Sequence, residues 1–74
     1  SSQGKNQDTM LKAGDSGYQV ERLQRALNKA GFWDKAPDGI FNTELEKAVK
    51  AYQKSKNIPD DGIAGPATRQ LLGM

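Results

Sequence analysis

The sequence predicts an all-α protein, a compact three-helix domain with a duplicated helix-loop-turn unit. Three observations carry this prediction. The triplet Asp38-Gly39-Ile40 recurs as Asp61-Gly62-Ile63, and each copy reads as a tight turn. Each turn runs straight into a helix-start signal, Asn42-Thr43 after the first and Gly65-Pro66 after the second. Between the turns the apolar residues fall at helical spacing. The duplication reaches into the helices as well: Val20-x-x-Leu23-Gln24 is echoed by Val49-x-x-Tyr52-Gln53.

Residues Ser1 to Thr9 are polar and lack periodicity, which reads as a disordered tail or linker. The domain proper is therefore taken as residues 10–74. A linker there implies a larger parent protein with this domain at its C-terminal end. Met10-Leu11 is the first apolar pair, and Gly14-Asp15-Ser16-Gly17 is a turn leading into helix one. Ser16 is placed to cap it, with Gln19 at capping-box spacing and Asp15 favourable at the positive helix end. Val20, Leu23, Leu27 and Ala30 form its buried stripe, and Glu21 with Arg25 forms an outer i,i+4 pair. Gly31 is expected as a left-handed cap, with Phe32 folding back on Leu27.

An irregular stretch from Trp33 to Pro37 follows, then the first turn, then Phe41. Asn42 is the expected N-cap of helix two. Leu45, Ala48, Val49 and Tyr52 form its stripe, and Glu46 with Lys50 forms an outer pair. Asn57 and Ile58 repeat the roles of Gly31 and Phe32, and Pro59 prevents continuation. After the second turn, Gly65 caps helix three and Pro66 occupies its first position. The expected core is Val20, Leu23, Leu27, Phe41, Leu45, Val49, Tyr52, Ile58, Ile63 and Leu71. The two turns are expected to anchor Ile40 and Ile63.

At 74 residues the chain holds one domain at most. No apolar run approaches the ~20 residues that cross a bilayer, so no membrane insertion is expected. There is no Cys and no His. That removes a disulfide scaffold, makes a zinc site remote, and leaves no Ser-His or Cys-His nucleophile. No cofactor is expected. Glu44, Glu46 and the pair Asp60-Asp61 are neighbouring surface acids, whereas a glycosidase needs two acids facing across a cleft. Net charge is +2 with both signs interspersed, the pattern of a solvated surface.

Taken together, these motifs resemble those of the type-1 peptidoglycan-binding domain family. Leu11-Lys12-Ala13-Gly14-Asp15-Ser16-Gly17 with Val20, Leu23, Gln24 and Leu27 is similar to the family's opening. Asp38-Gly39-Ile40-Phe41 with Ala48-Val49 and Tyr52-Gln53 resembles its middle, and Asp61 to Thr68 with Leu71-Leu72 resembles its end. The resemblance runs from about Met10 to Leu72. Asn42, Leu45 and Tyr52 stand where the family usually has Gly, Thr and Phe. The resemblance implies a non-catalytic, monomeric module that anchors a covalently attached hydrolase, such as an endolysin, on the bacterial cell wall. Its location would be the wall, the periplasm or the extracellular space. Its partner would be peptidoglycan or its stem peptides, with no nucleic acid.

Peptidoglycan offers sugar faces, which suit an aromatic ring, and carboxylates, which suit helix starts, Arg and Lys. Trp33 and Tyr18 are the aromatic candidates; each is open either to packing or to contact. Asn42, Thr43, Gly65 and Ala67 are placed to present N–H groups, a geometry plain capping also requires. Arg22 is the basic candidate, with Lys47 and Arg69 as further cations. Two other readings remain at this stage. One is a pro-domain or interaction domain packing on its parent enzyme, with Trp33 in a dry interface. The other is a helix-turn-helix nucleic-acid binder, opposed by the low net charge.

Overall fold

The structure is a computed structural model and describes residues 10–74; the expected tail, Ser1 to Thr9, lies outside the described residues. Helix α1 spans Tyr18–Ala30, α2 spans Thr43–Ser55 and α3 spans Pro66–Leu71. Among the described residues no helix is long and apolar enough to cross a membrane. Among the described residues the only β structure is two isolated antiparallel bridges, Leu11 with Ala64 and Ser16 with Ile40.

The helices end where their sequences dictate. Gly31 takes the left-handed conformation at φ 88°, and Phe32 N–H donates back to the Leu27 carbonyl at 2.9 Å. Asn57 repeats this at φ 62°, with Ile58 N–H donating to the Gln53 carbonyl at 3.1 Å. Gly73 closes α3 the same way at φ 82°, with Met74 N–H on the Arg69 carbonyl at 2.9 Å. Each bond satisfies a carbonyl that the helix leaves open. At the other end of α2, the Asn42 side chain accepts from Leu45 N–H at 2.9 Å, the expected cap. Ser16, by contrast, does not cap α1. Gly17 is the N-cap, with no side-chain bond, because Ser16 is drawn into the bridge with Ile40. The Asp15 carboxylate turns back instead and accepts from Lys12 N–H at 3.1 Å.

The core consists of Leu11, Val20, Leu23, Leu27, Trp33, Phe41, Leu45, Ala48, Val49, Tyr52 and Ala64. It departs from the expected set in a regular way. Ile63 is half-buried, while Ala64, the next residue, points inward; at the first turn Ile40 is 52% exposed instead of anchored, and Phe41 is buried as expected. Both pairs lie on extended backbone at the bridges, where successive side chains alternate faces. Ile58 is half-buried as well. Leu71 is half exposed, because the inward side of α3 is set by Thr68 and Leu72, four residues apart. Phe32 meets Tyr52 edge to face at 5.4 Å between ring centroids and closes the end of the core.

The segment Leu11–Gly17 straps both turns. Leu11 and Ala64 exchange two backbone hydrogen bonds, at 3.2 and 2.8 Å. Gly14 N–H donates to the Phe41 carbonyl at 3.0 Å, Phe41 N–H to Asp15 at 2.9 Å, and Gly17 N–H to Gly39 at 2.8 Å. Of the outer ion pairs, Glu21 and Arg25 meet at 2.8 Å. Glu46 and Lys50 form no ion pair among the described residues. Both side chains lie over Gly62, whose hypothetical Cβ would sit 2.8 Å from Glu46 Cγ and 3.1 Å from Lys50 Cε.

Candidate functional site

The strap also positions the candidate contact residues. Phe41 precedes Asn42, the cap of α2, and Ala64 precedes Gly65, the cap of α3. Both are hydrogen-bonded to strap residues only three apart, Gly14 and Leu11. The Cα atoms of those two residues are no more than about 11 Å apart. The strap itself ends at Gly17, the N-cap of α1. All three helix starts are therefore tied to one short segment.

The three starts differ chemically. At α1, Tyr18 is 71% exposed, and the Arg22 guanidinium sits 6.0 Å from its ring centroid. Arg22 is exposed, so this corner offers a ring and a cation on one helix face, four residues apart. At α2, Thr43 is exposed, but Leu45 N–H is already taken by Asn42, and Glu44 and Glu46 place two acids in the first turn. Those acids oppose an incoming carboxylate. At α3, Gly65 has no capping side chain, and the first turn carries no acid. Ala67 is exposed there, although six residues make a short dipole. Arg69 is half-buried in a groove of about 310 Å³ with Pro66, Gln70 and Met74.

Trp33 is not part of this surface. It is 7% exposed and belongs to the core. The Asn28 side chain holds its carbonyl at 2.7 Å. Lys35 lies over the ring at 5.5 Å and pairs with Glu44. Trp33, Lys35, Glu44 and Lys47 line a groove of about 300 Å³ whose walls include neither Tyr18 nor Arg22. A ring so covered has little face left for a sugar.

Two residues missing from the expected sites turn out to organise both turns. Gln24 and Gln53 are 0% and 2% exposed. The Gln24 amide accepts from Gly39 N–H at 2.9 Å and donates to Asp38 Oδ1 at 2.9 Å. The Gln53 amide accepts from Gly62 N–H at 3.1 Å and donates to Asp61 Oδ1 at 3.2 Å, the Ile63 carbonyl at 2.8 Å and Thr68 Oγ1 at 3.0 Å. Each aspartate also accepts from the N–H two residues on, at 3.0 Å from Ile40 and 2.9 Å from Ile63. The Gln24 and Ile40 bonds stabilise the charged form of Asp38 and hold its carboxyl below the ordinary carboxylate value. The sequence does carry a signal for these glutamines. Gln24 stands four residues after Val20 and three before Leu27, a polar residue on an otherwise apolar stripe.

A family model described as "Putative peptidoglycan binding domain" matches residues 16–72. The N-acetylmuramoyl-L-alanine amidase CwlL of Bacillus licheniformis is 46% identical over 74 residues, which is 97% of this chain and 21% of that protein. A spore cortex-lytic enzyme of Bacillus cereus is 35% identical over 63 residues, 85% of this chain and 24% of that enzyme. The chain thus spans about a fifth to a quarter of these relatives. The crystal structure of the SleB N-terminal domain superposes with a TM-score of 0.85 at 33% identity, covering 89% of this chain and 90% of that one. With a family match over residues 16–72 and this superposition, the chain belongs to the peptidoglycan-binding domain family.

Proposed function

We propose that this chain is a non-catalytic module that holds an attached cell-wall hydrolase on peptidoglycan. Its relatives support the reading: they include an amidase and a cortex-lytic enzyme, each several times longer than the stretch shared with this chain. The domain is residues 10–74, acting as a monomer at the wall and joined to a catalytic domain. Tethering raises the enzyme's local concentration on its polymer, so a weak individual contact suffices.

The observation that carries the choice of site is the exposed Tyr18 ring with Arg22 beside it on a helix start held by the strap. The free side of the ring suits a sugar face, and the guanidinium suits a stem-peptide carboxylate. The second anion contact is the start of α3 at Ala67; the Gly65 N–H takes no part, because it donates to the Ile63 carbonyl at 3.0 Å. Asn42 and Thr43 act chiefly by setting the direction of α2, since their neighbours Glu44 and Glu46 repel anions. Trp33 supports the groove beside α2 from within the core.

The test is co-sedimentation with protein-free sacculi. The wild-type chain is expected to pellet, and Tyr18→Ala and Arg22→Ala to weaken binding about tenfold, with stability changed by less than about 0.5 kcal/mol because both residues are exposed. Pelleting no better than an unrelated basic protein would overturn the function. Full binding by both variants would overturn the site alone. The nucleic-acid reading loses further ground, because α3 is only six residues long, too short to serve as a recognition helix along the major groove.

A further inference from the structure

Asp-Gly sequences carry a chemical liability that two exposed turns would ordinarily express. The glycine nitrogen attacks Cγ of the neutral aspartic acid. A C–N bond forms, the C–OH bond breaks, and one water leaves as a cyclic imide closes. Water then reopens the ring at either carbonyl, returning aspartate or the β-linked isoaspartate. The β-linked product adds a methylene to the main chain, which the bonded geometry of either turn could not accommodate. Asp38 and Asp61 are both exposed, so water and protons reach them freely.

We propose that Asp38-Gly39 and Asp61-Gly62 are latent isoaspartate sites, kept unreactive by the buried amides of Gln24 and Gln53. Each glutamine holds both reacting groups at once. Gln24 Oε1 accepts from the attacking nitrogen, Gly39 N–H, at 2.9 Å, while Gln24 Nε2 donates to Asp38 Oδ1 at 2.9 Å. Gln53 does the same for Gly62 N–H at 3.1 Å and Asp61 Oδ1 at 3.2 Å. The nitrogen must therefore release one end of a rigid, buried amide, and the carboxyl the other, before the nitrogen can reach Cγ. The donors from Ile40 and Ile63 fix each carboxylate a second time, at 3.0 and 2.9 Å. At Asp38 these bonds also favour the anion, whereas the neutral acid is the form that loses water. One polar residue in each apolar stripe thus guards one turn.

The experiment ages the full chain at neutral pH, below its unfolding transition, beside the same chain in denaturant. Peptide mapping by mass spectrometry distinguishes imide, aspartate and isoaspartate at the two sites. Folded protein is expected to convert more slowly than unfolded protein by on the order of tenfold or more, since reaction needs the opened turn. Gln24→Met keeps the buried volume and loses both bonds. It should speed conversion at Asp38 several-fold and leave Asp61 at the wild-type rate; Gln53→Met should do the reverse. Equal rates in folded and unfolded wild type, or no acceleration at Asp38 in folded Gln24→Met, would overturn the proposal. If Gln24→Met does not fold, amide exchange in the wild type decides. Protected Gly39 and Gly62 amides, with isomerisation rising in step with their exchange in mild denaturant, support it; unprotected amides overturn it.

Discussion

At Asp38 an exposed carboxylate is steadied by a buried amide, and that pairing makes the acid limb of stability readable at one residue. The Gln24 amide and then the Ile40 N–H lower its carboxyl in the folded chain. As pH falls, the unfolded chain therefore binds the proton first. The contribution of Asp38 is complete above the unfolded carboxylate value, about pH 4, and is lost as pH falls from there through the lower folded value. Asp38→Asn keeps an acceptor oxygen without the charge. Thermal melts from pH 7 down to pH 2 should show a shallower acid loss for this variant than for the wild type. An unchanged acid slope would mean that Asp38 is not held as described. The same scale separates the aromatic residues. Tyr18 stands free beside Arg22, whereas Trp33 is covered by Lys35 and packed in the core.

Among the elements, the turns and caps use left-handed backbone in two different settings. Gly31 ends α1 at φ 88°, and a Cβ built there meets nothing within 4 Å. Gly39 forms the first turn at φ 73°, and a Cβ there would sit 3.2 Å from the Gly17 carbonyl oxygen. That oxygen accepts the first bond of α1, from Glu21 N–H at 3.1 Å, so it is not free to retreat. Both alanine substitutions incur the left-handed penalty of about 1–2 kcal/mol, and Gly39→Ala adds the clash. Urea unfolding should place Gly39→Ala below Gly31→Ala, with both below the wild type. Equal midpoints would show that the turn gives way. The α2 and α3 starts contrast in a similar manner, since one is capped and acidic and the other uncapped and without acid.

Across the whole molecule, the strap is the piece that makes one domain of two repeated units. Leu11 is 5% exposed, and its backbone is bonded to Ala64 in both directions. Leu11→Ala removes buried carbons where the neighbouring backbone is fixed, and should cost about 2–5 kcal/mol. Denaturant midpoints check this. Sacculus binding, measured where the variant is still folded, should match the wild type, because the exposed surface at Tyr18 and Arg22 is unchanged. Binding lost in a folded Leu11→Ala protein would mean that the strap itself meets the ligand.

Periodicity and turn chemistry by themselves determined the three helices, most of their ends and the greater part of the core. These features are local. A left-handed cap at Gly31 or Asn57, an N-cap at Asn42, and apolar residues three and four apart depend on a few neighbouring residues. The Gln24 and Gln53 anomalies were visible as polar residues within apolar stripes, but their partners lie eight to sixteen residues away. Only the tertiary structure could decide what the anomalies bond. It also decided that Ser16 pairs with Ile40 rather than capping α1, that Ala64 points inward instead of Ile63 while Ile40 stays exposed, and that Trp33 is buried while Tyr18 is exposed. Each of these follows from the strap, from the alternation of side chains it imposes on extended backbone, or from packing between segments distant in the chain. No window of sequence contains those forces.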